Sequence, residues 1–76
     1  MEDKSVVAQR SIRYLDDKVS LLNDKSIEHK ILHNRLVFKV MSNMNRLVEV
    51  DEFTRKKVLD KYFAEEVTHM VGEQLR

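Results

Sequence analysis

The chain has 76 residues, 36% of them charged and 42% hydrophobic, with a formal net charge of +1. That composition describes one small folded domain rather than a disordered segment, and the near-balance of charge argues against both a polyanion-coating protein and an acidic mimic of nucleic acid. Cysteine and proline are absent and glycine occurs once, at Gly72, which excludes disulfides and thiol chemistry and leaves too little turn material for a β-rich fold.

The expected class is therefore all-α, as a single helical domain over 1–76. It divides into three helices at about 2–22, 26–49 and 52–75, stacked as an up-down-up bundle with a long central helix. In the first helix Ala8, Ile12, Leu15, Val19 and Leu22 recur at alternating spacings of four and three, which makes an a/d seam. Glu2 and Asp3 place negative charge where a helix N-terminus favours it. A second row, Val7, Tyr14 and Leu21, repeats every seven residues on the flank of that seam.

Asn23-Asp24-Lys25-Ser26 forms the first break, with Ser26 or Asp24 as a candidate N-cap for the central helix. A connection this short makes antiparallel neighbours. The central stretch, Ser26 to Val50, contains no Gly or Pro, and its apolar side chains fill roughly 220° of a helical wheel. Leu36, Leu47 and Val40 lie near one edge of that arc. Met44, Val37, Val48 and Met41 lie in its middle, and Ile27, Phe38 and Ile31 near the other edge. A helix that covers one core shows a stripe little wider than about 100°, so this one is expected to be packed from at least two sides. Asn34 and Asn45 also fall inside the arc, where a buried Asn would set register or partner number; the alternative, expected for Asn45 and open for Asn34, is a position near an end that water reaches.

Asp51 is the expected N-cap of the third helix. The main face of that helix reads Leu59, Phe63, Val67, Met70 and Val71, with Val58 and Tyr62 on another flank. In the antiparallel stack, residue 33 lies level with about 16 and about 68. The rows left over, Val7/Tyr14/Leu21 and Val58/Tyr62, are expected to meet a partner protein or a second copy. A two-fold homodimer is the simplest closure for so small a core.

His29 and His33 share a helix face, with His69 at the same height beside Glu65 and Glu66. This is a weak metal candidate, because His69 points roughly 130° from the apolar face of its helix. Glu66 and His69 also spell the Glu-x-x-His of di-metal bundles, but off the core face. No phosphate loop, nucleophile elbow or metalloprotease motif is present, so neither an enzyme nor a cofactor is expected. Basic rows at Arg35, Lys39 and Arg46, and at Arg55, Lys56, Lys57 and Lys61, make nucleic acid the alternative partner. With no long apolar run and no secretory signature at the N-terminus, a cytoplasmic protein that does not enter membranes is expected. The leading functional expectation is a helical protein-protein interaction module, acting as a regulator, inhibitor, adaptor or chaperone.

Overall fold

The computed structural model describes residues 3–24 and 27–72 in full and 73–74 by their backbone. All regular structure among them is helical, in four elements: α1 (Lys4–Ser20), α2 (His29–Ser42), α3 (Met44–Glu49) and α4 (Glu52–Gln74). None of these helices is long and apolar enough to cross a membrane. The expected N-terminal acid Glu2 and the candidate cap Ser26 lie outside the described residues. Asp3 caps α1, its Oδ1 accepting from the Ser5 amide at 3.1 Å, and so satisfies one of the donors a helix start leaves open. The helix closes at Ser20, two residues short of the expected Leu22, through bonds from the Leu21 and Leu22 amides to Lys18 and Val19 carbonyls.

The long central helix is the main correction. Instead of one rod over 26–49, helix begins only at His29 and divides at Asn43, which has φ −119° and ψ 19°. Asn43 closes α2, its amide donating to the Val40 carbonyl at 3.1 Å and its Nδ2 to the Lys39 carbonyl at 2.7 Å. It also opens α3, its carbonyl accepting from the Arg46 and Leu47 amides. A side-chain amide that bonds the preceding turn offers the backbone an alternative to continued helix. The break seats Leu47 fully inside the core.

Asp51 is the helix start that the sequence suggests, with Oδ1 accepting from the Thr54 amide at 2.8 Å. Just beyond it Arg55, only 5% exposed, turns back onto α3. Its Nε donates to the Leu47 carbonyl at 2.9 Å and its Nη2 to the Val50 carbonyl at 3.1 Å. The short helix thereby has its last carbonyls satisfied by a cation, the group that suits a helix C-terminus.

The elements enclose one core built on Val7, Leu15, Val19, Ile27, Leu32, Leu36, Val40, Leu47, Leu59, Tyr62 and Met70. Helix α1 packs on α2, α3 and α4, and α2 packs on α4. His33 meets Asp16 and Lys4 meets Asn45, so α1 and α2 run in opposite senses. Arg35 meets Glu66 and Lys39 meets Glu65, so the chain reverses again into α4. The result is 43 Å long and 18–19 Å across.

Two faces are turned relative to the expected ones. The buried row of α1 is Val7, Ser11, Leu15 and Val19, with Ala8, Ile12 and Leu22 only half-buried beside it. On α4, Arg55, Leu59, Tyr62 and Met70 are buried, whereas Phe63, Val67 and Val71 are half-buried. Ser11 and Arg55 are polar residues in core positions, and counting them as surface rotates both stripes.

Candidate interaction surface

Helix α2 meets its neighbours through Leu32, Leu36 and Val40, all fully buried. Residues two apart on an α-helix lie about 200° apart, so Asn34 and Phe38, flanking Leu36 at that spacing, point away from the core. The outward row is apolar: Ile31 is 47% exposed, Phe38 75% and Met41 55%, with Asn34 exposed among them. Within α2 the apolar arc is thus covered at Leu32, Leu36 and Val40 and exposed at Ile31, Phe38 and Met41. Beside the row runs an open groove of about 460 Å³, lined by Asn34, Arg35, Phe38 and Glu66. Burying these three side chains completely would contribute roughly 3–5 kcal/mol, at about 1.5–3 kcal/mol for each fully exposed one.

The charges around the row differ in their commitments. On the α4 side Arg35 Nε donates to Glu66 Oε2 at 2.9 Å and Lys39 Nζ to Glu65 Oε2 at 2.8 Å, while Lys39 lies 5.2 Å from the Tyr62 ring centre. The Glu65 bond holds the Lys39 ammonium above its ordinary pKa and the Glu65 carboxyl below its own. Glu66 is half-buried in this seam, not off the core face as its wheel position suggested. On the α1 side His33 Nδ1 pairs with Asp16 Oδ1. Lys30, in the first turn of α2, and Arg46, on α3, are exposed and make no ion pair among the described residues.

The expected partner contacts do not form one surface. Val7 and Tyr62 are buried and belong to the core, which corrects their expected place on a spare flank. Val58 is half-buried against the same core. Tyr14 lies along the α1–α4 seam, its hydroxyl donating to Asp60 Oδ1 at 2.7 Å, with Lys18 and Lys56 near its ring. Leu21 alone stays open, at the end of α1. Periodicity places in the interior the residues that do make an exposed row, Ile31, Phe38 and Met41. The signal for them is the width of the arc, well beyond the stripe that one core requires.

The basic rows are likewise divided. Arg55 is an internal cap rather than a surface cation, because its guanidinium is needed by the α3 carbonyls. Lys57 lies 4.5 Å from the Phe53 ring centre, and Lys61 is exposed. His29 and His69 are exposed and His33 is held by Asp16. Among the described residues no group of three His, Cys, Asp or Glu side chains is placed to hold a metal ion. No family, curated protein or solved structure matches this chain.

Proposed function

We propose that the chain is a small protein-protein interaction module whose outer α2 face receives an amphipathic helix from a partner protein, one whose apolar row is edged by acidic residues. The observation that carries this reading is the row Ile31, Phe38 and Met41, exposed directly opposite the buried face of the same helix. Exposed Lys30, in the first turn of the same helix and in no ion pair among the described residues, supplies the charge preference. An apolar row spaced along one side is the form in which helix-in-groove partners dock.

A second copy meeting α2 in parallel would set Lys30 against its own counterpart, and like charges across an interface are unfavourable. Nucleic acid is also the weaker reading, since Arg55 is internal and Arg35 and Lys39 are already neutralised by Glu66 and Glu65.

Two designed amphipathic helical peptides with the same Leu row test the proposal, one with Glu on its edges and one with Lys. Fluorescence anisotropy at low salt should show the Glu-edged peptide binding at least ten-fold tighter, with the preference shrinking as salt rises. Equal binding of the two peptides, tighter binding of the Lys-edged one, or conversion of the protein to a dimer that binds neither, would overturn it.

A further inference from the structure

The outward row of α2 is polar at one step. Ile31, Asn34, Phe38 and Met41 recur at spacings of three, four and three, which sets all four within about 80° of the helix and along about 15 Å of its length. That is the a/d spacing by which one helix seats its side chains on another. The three apolar members are exposed, and so is Asn34 between them. Its side-chain amide makes no hydrogen bond among the described residues. The open groove alongside is lined by Asn34, Arg35, Phe38 and Glu66. Arg35 and Glu66 hold each other there, Nε to Oε2 at 2.9 Å, whereas the Asn34 amide is uncommitted.

We propose that Asn34 sets the specificity of this face: it favours a partner helix that carries one side-chain amide in its apolar row, at the position facing residue 34. The inference rests on the reading of the outer α2 face as a helix-docking surface, and it names what that helix must present. A helix seated on Ile31, Phe38 and Met41 passes over Asn34 and takes its amide out of water. The amide has two N–H donors and an accepting oxygen, and enclosing them without partners weakens binding. A Leu facing it leaves all of them unmet, and a carboxylate meets the donors alone. A second amide both donates and accepts. It does so only where the two stand level, so one register of the docked helix is favoured over its slipped alternatives.

Two Glu-edged helical peptides test the proposal, one with Leu throughout its row and one with Asn at a single central row position. Each is titrated by fluorescence anisotropy against the parent chain and against Asn34→Leu, an exposed substitution that leaves the core intact. Relative to Asn34→Leu, the parent should shift the ratio of the two affinities toward the Asn-bearing peptide by about five-fold or more. That ratio cancels differences in peptide helicity and any self-association of the variant. A nitroxide at one end of the Asn-bearing peptide should broaden the parent's amide signals at one end of α2, near Ile31 or near Met41. Equal broadening at both ends would overturn the single register. A smaller shift in the ratio, with the peptides bound, would overturn the role of Asn34 and leave the docking face standing. Binding of neither peptide to either protein would overturn the docking face and this inference with it.

Discussion

Arg55 shows how a single side chain can look like a ligand contact and be a structural one. It begins the densest basic run in the chain, yet its guanidinium spans two carbonyls at the end of α3 and is almost wholly enclosed. Arg55→Ala strands those carbonyls, so urea unfolding should show a loss of about 2–4 kcal/mol. Arg55→Lys should restore little of it, since one ammonium cannot reproduce the planar fork. Losses under about 0.5 kcal/mol would return Arg55 to the surface. Asp60 sets a second residue-scale expectation. The Tyr14 hydroxyl and the Lys18 ammonium hold its carboxyl below its ordinary pKa of 3.8, and the same Tyr14 bond raises the phenol above 10.0. The depressed carboxyl contributes stability that is present above pH 4 and lost as pH falls through its folded value. The raised phenol contributes stability present below pH 10 and lost as pH climbs through its own folded value. Denaturation midpoints should therefore decline at both extremes, and Asp60→Asn should flatten both slopes. An unchanged acid slope in that variant would contradict the assignment.

Individual elements were legible where local chemistry decides them. Asp51 signals the start of α4 by its residue type alone, and the levels of residues 16, 33 and 68 follow from counting along short antiparallel connections. The split at Asn43 was not legible, because a run without Gly or Pro reads as one helix and hydrophobic counting assigns no weight to a side chain that bonds the preceding turn. The turned faces of α1 and α4 have a similar origin. Ser11 and Arg55 occupy buried positions, and a pattern of polar against apolar places them outside. Asn43→Ala tests the split: it removes the donor to the Lys39 carbonyl and should cost about 1 kcal/mol. A more stable variant with greater helix content would mean that α2 and α3 prefer to run as one.

At the scale of the whole molecule, the wide apolar arc of the middle segment proved informative in a different way from the one expected. Its width pointed to a second covering layer, but α1 and α4 cover one edge and leave Ile31, Phe38 and Met41 outside. Val7 and Tyr62, from the rows on α1 and α4 expected to meet a partner, are consumed by the core, and the proposed docking face is the back of α2 instead. That face carries Lys30 in its first turn and no acid among Ile31, Asn34, Phe38 and Met41, which under the proposed reading suits an acid-edged partner helix. Phe38→Asp measures this most directly, since the ring lies outside the core and its replacement should leave the unfolding free energy within about 0.5 kcal/mol of the parent. The affinity of the Glu-edged helical peptide for this variant should fall at least ten-fold while the fold is retained. An affinity equal to that of the parent chain would show that the outer face of α2 is not where a partner docks.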